Sequence, residues 1–435
     1  MKSQLITNSR RSFLKAGAAS LVGGALFESL PRDVYAQAGK TIKVGLVGCG
    51  GRGTGAAFEA LNASPSVKLV TMGDVFEDML NSSYAKLSSQ YKDQVDVPEK
   101  RRYVGLDAFT KVIAECDVVI LATPPPFRPQ HFEEAINANK HVFMEKPLAV
   151  DVPGYKKIIE VGKKAEAKKL NVVVGLQSRY DTSFNAMIEK IREGMIGDIV
   201  SVDVYYNVGA PQIHARKPGQ TELEYQLRNW RYFNWLWGGQ LAGQAIHQID
   251  VINWLMEAYP EVASGIGGRI SFNGPNQGNT YDHQYVEYVY PNGVRMHVQC
   301  RNIDNCAVRM GFYIRGTKGY ADERSRIFNL DNQIAWRFRD SDETVSSTQL
   351  EQNIFFNAVA KGPYINNTDY GAKSTLTTII GRMASHSGQA VKLEEALASD
   401  LSIIPSRLTW DATMPDMPDA DGNYLVPVPG KTRQI

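Results

Sequence analysis

Short apolar runs separated by longer amphipathic stretches dominate the first half of the chain. Residues 41–47, 67–72, 117–121, 141–144 and 171–174 are nearly unbroken apolar segments of strand length. Runs without period-two polar positions read as strands buried on both faces. Between them, residues 54–61, 131–139 and 155–168 read as helices. Strand and helix in alternation predict a parallel sheet covered on both sides. Further on the pattern changes. Residues 199–205 and 285–290 alternate in part, and Pro291-Asn292-Gly293 leads into a second alternating run at 294–300. Asn-Gly between apolar runs predicts a hairpin. A helix is expected from about Leu241 to Met256.

The first strand runs straight into Gly48-Cys49-Gly50-Gly51-Arg52-Gly53 and then a helix. That is the context in which a glycine-rich turn holds a dinucleotide: the backbone approaches the pyrophosphate, whose charge rests on the helix N-terminus. Asp74 ends the second strand about 20 residues further on, where an acid can bond the ribose hydroxyls. A carboxylate there repels a 2′-phosphate and no arginine follows closely in sequence, so NAD is expected rather than NADP. Ligands gather at the carboxyl ends of such strands, and two of those ends carry Ala122-Thr123-Pro124-Pro125 and Glu145-Lys146-Pro147.

Length and composition narrow the classes. The chain has 435 residues, of which 43% are hydrophobic, enough for two domains and a leader. A formal net charge of +2 argues against a nucleic-acid partner, which would require a strong basic excess. Cys49, Cys116, Cys300 and Cys306 lack the close spacing of a zinc or redox motif, and no metal is expected. Cys300 and Cys306 read as two buried thiols rather than a bridge.

The N-terminus has the three-part plan of a secretory leader: Arg10-Arg11-Ser12-Phe13-Leu14-Lys15, an apolar run at 16–27, and Ala36-Gln37-Ala38. The paired arginines make residues 1–38 resemble a twin-arginine signal peptide and imply a periplasmic protein. The apolar run is too short and too rich in Gly and Ala to span a bilayer, so no membrane span is expected in the mature protein. Export of an already folded chain suits a tightly held cofactor.

Taken in order, these motifs resemble those of the glucose–fructose oxidoreductase / inositol dehydrogenase / MocA family. The resemblance rests on Gly48 to Gly53, Ala122-Thr123-Pro124 and above all Glu145-Lys146-Pro147. It continues through Gly175-Leu176-Gln177-Ser178-Arg179-Tyr180, Asn229-Trp230-Arg231, His247-Gln248-Ile249-Asp250, and Gly381-Arg382-Met383 with Ser387-Gly388. The last stretch looks like exported, Bacteroidetes-like members. The family implies an α/β Rossmann domain followed by an α+β domain with a large, mostly antiparallel open sheet, whose outer face commonly makes a homo-oligomer. It also implies that Lys146 lies between cofactor and substrate, that Glu145 faces the cofactor, and that His247 is the acid/base. On the expected helix Gln244, His247 and Asp250 share a face, with Asp250 placed to orient His247. One departure stands out: many dehydrogenases of the family carry an aspartate four residues before the histidine, and this chain has Gly243.

The boundaries expected are 1–38 leader, 39–175 NAD-binding domain, 176–410 substrate and oligomerisation domain, and 411–435 an irregular tail, either ordered on the surface or mobile. Cofactor contacts fall to Gly48 to Gly53, Asp74, Thr123, Pro124, Glu145 and Lys146. Substrate contacts fall to Lys146, Arg179, Tyr180, Trp230, Arg231, Trp237, Gln244 and His247. The reading is an NAD(H)-dependent oxidoreductase acting on a secondary hydroxyl of a sugar, polyol or glycoside. Two alternatives stay open: a glycoside hydrolase working through transient oxidation at C3 and elimination, and a non-catalytic carbohydrate-binding protein.

Overall fold

The computed structural model describes residues 41–339 and 345–434. The leader, with its twin arginines and cleavage site, lies outside the described residues.

Six strands form the first sheet: β1 (Ile42–Val47), β2 (Val67–Asp74), β3 (Arg102–Val104), β4 (Val118–Leu121), β5 (His141–Met144) and β6 (Val172–Val174). All pair in parallel, in the order β3-β2-β1-β4-β5-β6. The order reverses between β1 and β4, so a crevice opens at their carboxyl ends. Every residue of β4 and β6 is buried, which is why these strands read as continuous apolar runs. The helix Gly51–Ala63 starts earlier than its apolar spacing suggests, because it begins inside the glycine turn; Thr54 N–H already donates to Gly50 O at 2.9 Å.

Nine strands form the second sheet: β7 (Ile199–Val208), β8 (Val262–Gly268), β9 (His283–Val289), β10 (Arg295–Asn302), β11 (Arg309–Gly316), β12 (Gly319–Asp322), β13 (Arg326–Asn329), β14 (Ile334–Arg337) and β15 (Val391–Lys392). Their order is β14-β13-β12-β11-β7-β10-β9-β8-β15, antiparallel throughout except for the central β7–β10 pair. The expected hairpin joins β9 to β10. Gly293 takes φ +83° at the turn, and its N–H donates to Tyr290 O at 2.8 Å. Alternate residues of β10 are buried: Met296, Val298 and Cys300 pack inward with Val204 and Ile314 against Ile249, Leu376 and Ile380 of the overlying helices. One of those helices, Thr368–Ser387, lies so close that a Cβ on Gly381 would fall 1.9 Å from the Tyr288 hydroxyl.

Later chain ties the domains together. The helix Ser347–Ala360 returns to the Rossmann helix Gly51–Ala63, and Gln349 Nε2 donates to Glu59 O at 2.8 Å. The tail is ordered irregular chain: the Tyr424 hydroxyl donates to Glu222 at 2.6 Å, and Tyr281 donates to Pro427 O at 2.9 Å. All four cysteines are free. Cys300 is buried, but Cys306 is exposed, which corrects the reading of it as a buried thiol; it sits in the turn between β10 and β11, beyond the sheet core.

Candidate active site

A cleft of about 730 Å³ opens at the carboxyl ends of β1 and β4 and is closed on its far side by the second domain. Its floor is the glycine turn. Gly48 has φ +93°, and a Cβ there would lie 2.7 Å from the Ala122 carbonyl carbon; one on Gly53 would lie 1.8 Å from Gly48 O. These two positions bar any side chain. Gly50 and Gly51 differ: a Cβ on either would meet nothing within 4 Å, because both border the open cleft. A bare main chain at a helix N-terminus that borders the cleft fits a pyrophosphate.

Asp74 stands at the next strand end, its carboxylate accepting N–H bonds from Cys49 at 2.6 Å and Phe76 at 2.9 Å. Burial raises its pKa above the ordinary value, while those two donors oppose the shift. Burial likewise pushes the Cys49 thiol well up, so it stays protonated. An arginine does reach this end of the cleft, from far along the sequence. Arg228 is occupied, however, by two bonds to Asp78 at 2.7 Å.

Thr123 and Pro124 line the middle of the cleft. Arg128, fully buried beneath them, donates to Leu121 O at 2.7 Å and Thr123 O at 2.6 Å, fixing the loop after β4. The neighbouring His131 is pushed down to about 3 by burial and by Arg128, so its ring is neutral. Glu145 follows β5 and accepts from Arg52 Nε at 2.7 Å; Arg52 also bonds Glu59. Burial opposes the charge on Arg52, but the two carboxylates outweigh it and hold the guanidinium well above its ordinary pKa.

Lys146 reaches across to the second domain, where its Nζ donates to Gly243 O at 2.7 Å. Burial is the main cause of its lowered pKa, which falls to about 8; Glu145 opposes the shift and Arg231 and Arg52 add to it. Opposite stands His247, whose pKa is lowered well below the ordinary value by burial and then by Lys146 and Arg52. The ring is therefore neutral near pH 7. His247 Nδ1 and Gln244 Oε1 are buried without a hydrogen-bond partner among the described residues, and both side chains line the cleft.

Residues 241–256 are two pieces, a π-helical turn Leu241–Ala245 and the helix Ile246–Met256. The wide turn aims the Gly243 carbonyl and His247 into the cleft. Asp250, one face-turn further on, does not orient His247 as expected. It is fully buried and taken by Arg179, which donates from Nε at 2.8 Å and Nη2 at 2.9 Å, and by Ser374 Oγ at 2.7 Å. The same pair withdraws Arg179 from the cleft; its guanidinium lies 3.8 Å from the Tyr370 ring centroid. Tyr180 is buried too, bonded through its hydroxyl to Asn367 Oδ1 at 2.8 Å. Arg179 thus buttresses the second domain and Tyr180 packs into the core beside the first sheet; neither lines the cleft.

Trp230, Arg231 and Trp237 do line the cleft, and the two indoles pack edge to face with centroids 6.5 Å apart. Trp237 explains Gly243. A Cβ at position 243 would fall 1.7 Å from Trp237 Nε1, so the indole fills the space of any side chain there. Sequence reasoning missed Tyr206, His214 and Glu351, which also border the cleft. Glu351, on the helix Ser347–Ala360, is buried, and burial followed by Glu145 pushes its carboxyl well up toward the neutral form. No local motif marks these residues; only the fold gathers them.

Comparison with known proteins places this geometry. A family model described as an oxidoreductase family, NAD-binding Rossmann fold, matches residues 42–175, and a GFO/IDH/MocA C-terminal domain model matches residues 184–322. Among curated relatives, 2,7-anhydro-N-acetylneuraminate hydratase of Escherichia coli K12 is 27% identical over 41% of this chain and 43% of its own. Inositol 2-dehydrogenase of Acidothermus cellulolyticus is 24% identical over 53% and 58%, and a glycosyl hydrolase family 109 protein of Shewanella is 23% identical over 52% and 50%. The chain thus spans about half the length of the curated relatives it matches. In fold it resembles scyllo-inositol dehydrogenase of Lactobacillus casei with bound NAD(H) and scyllo-inositol, at TM-score 0.62 and 20% identity over 82% of this chain and 100% of that one.

Proposed function

Because the chain belongs to the GFO/IDH/MocA oxidoreductase family, we propose that it oxidises or reduces a secondary hydroxyl of a sugar, polyol or glycoside with NAD(H). The observation that carries this reading is the meeting of Lys146 and His247 across one cleft with the glycine turn, Lys146 Nζ bridging to Gly243 O at 2.7 Å. When bound, NAD(H) supplies the hydride acceptor or donor. The main chain at Gly50 and Gly51 would hold its phosphates and Asp74 its ribose hydroxyls. Neutral His247 accepts the hydroxyl proton, and the Lys146 ammonium stabilises the charge that develops on the substrate oxygen. The tryptophans and Arg231 shape the place where the sugar lies.

A second reading is favoured by the glycosyl hydrolase family 109 relative: glycoside cleavage with the same cofactor, through transient oxidation and elimination. One experiment serves both. The purified protein is denatured and its supernatant assayed for NAD(H), and the intact protein is screened against sugars, polyols and chromogenic glycosides. Net change in nicotinamide absorbance with a sugar supports oxidoreduction; glycoside release without net change supports cleavage; no binding of NAD(H) at millimolar concentration leaves a carbohydrate-binding protein. Export to the periplasm and assembly into a homo-oligomer remain part of the proposal. The first rests on residues 1–38, and the second on exposed apolar side chains along the outer sheet face, Ile266 and Tyr285, which pair across β8 and β9.

A further inference from the structure

The charges that line the cleft cancel at one end and not at the other. Toward the glycine turn, Arg52 is held by Glu145 and Glu59, Arg228 by Asp78, and Arg128 by main-chain carbonyls. Toward the second domain two cations make no ion pair among the described residues. Among the described residues the Lys146 ammonium has only the Gly243 carbonyl as hydrogen-bond partner. Arg231 is exposed to the cleft, leans over Trp230 at 5.2 Å, and makes no ion pair or side-chain hydrogen bond among the described residues. Position 243 cannot supply an acid, because the Trp237 indole occupies the space its side chain would need.

Lys146 is half-buried, and a partly desolvated cation without an ion-pair partner is costly; exposed Arg231 adds its field to the same end of the cleft, which favours an anion there. The guanidinium offers a planar fork that matches an oxyanion with two parallel bonds. The phosphates of a dinucleotide are accounted for at the glycine turn, at the opposite end. We propose that the substrate is an anionic sugar, bearing a carboxylate or a sulfate ester, whose charge is held by Arg231 beside Lys146. The inference rests on the carbohydrate reading above and names the substrate class of the same site.

The test is a binding measurement, independent of turnover. The protein, with and without NADH, is titrated with methyl glucuronide and galacturonide, the corresponding neutral glycosides, and their 6-sulfated forms. Quenching of tryptophan fluorescence, or heat, reports binding. At least one anionic glycoside should bind about tenfold to a hundredfold more tightly than its neutral counterpart at low salt. Arg231→Gln should remove that preference while NADH affinity is retained, and Arg231→Lys should restore part of it. Whether the carboxylate or sulfate form wins identifies the group. Neutral glycosides bound as tightly as every anionic one, or a preference that survives in Arg231→Gln, would overturn the proposal. Protein that selects anionic sugars but never takes NADH would instead refute the oxidoreductase reading alone.

Discussion

The two ends of the cleft are built by different means. At the cofactor end the work falls to main chain and to side chains already neutralised: Gly48 and Gly53 cannot carry a Cβ, Asp74 is fixed by two N–H donors, and Arg52 is clamped by two acids. At the substrate end the groups are held loosely and unmatched. Lys146 rests on one carbonyl, His247 Nδ1 has no partner among the described residues, and Arg231 has no counter-ion there. A ligand common to many proteins is met by backbone geometry that leaves little to vary. A ligand particular to one protein is met by side chains whose pairing is left for that ligand to complete.

The contrast breaks most sharply if both ends fail together. Gly53→Val sets a side chain against Gly48 O and should lower NAD(H) affinity about a hundredfold, the equivalent of about 3 kcal/mol. Sugar binding followed by fluorescence should persist. His247→Ala should do the converse, cutting kcat by about 10²–10⁴ through loss of the acid/base while NAD(H) binding stays within about threefold. A His247→Ala protein that loses the cofactor would mean that the ends are not separable.

This division also explains what could be read from the sequence. The glycine turn, Asp74 and the strand ends at Thr123 and Glu145 were legible because each depends on local backbone order: a strand, a turn, a helix at fixed spacing. The hairpin at Pro291-Asn292-Gly293 was legible for the same reason. Lys146 and His247 came from motif order, yet the partner assigned to His247 was wrong. Helical spacing puts Asp250 near His247, but it cannot show that Arg179, far back in the chain, wins the carboxylate. Nor can spacing reveal that Trp237 fills the volume of residue 243, or that Glu351 returns on a late helix to border the cleft. Those depend on long-range packing.

Two substitutions sharpen the point within one segment, residues 241–256. Asp250→Asn removes one partner of a buried ion pair and should cost about 3–5 kcal/mol of stability, seen as a lower midpoint in urea. Its pH–rate profile should match the parent, since the Asp250 carboxylate is bonded to Arg179 and Ser374 and does not line the cleft. Gly243→Asp restores the acid that the family resemblance led one to expect. It forces the Trp237 indole aside and should cost less, about 1–3 kcal/mol. Adding Trp237→Ala should recover part of that loss. No recovery in the double variant would show that the indole is not what excludes a side chain there.

The smallest effect is the most specific. Lys146 is pushed down to about 8, chiefly by burial, so it carries its proton below that pH and loses it above. His247 is held well below its ordinary value, chiefly by burial, and stays neutral through the same range. If the ammonium stabilises the developing oxyanion, kcat/KM should be level from about pH 6.5 to 7.5 and fall about tenfold per unit once pH exceeds about 8. NAD(H) affinity, set at the other end, should stay level. Lys146→Arg keeps the charge and removes the titration, so whatever activity it retains should lose the alkaline fall. A fall that persists in Lys146→Arg would assign the titration to the substrate or to another group, and the lysine would then act by position instead of charge.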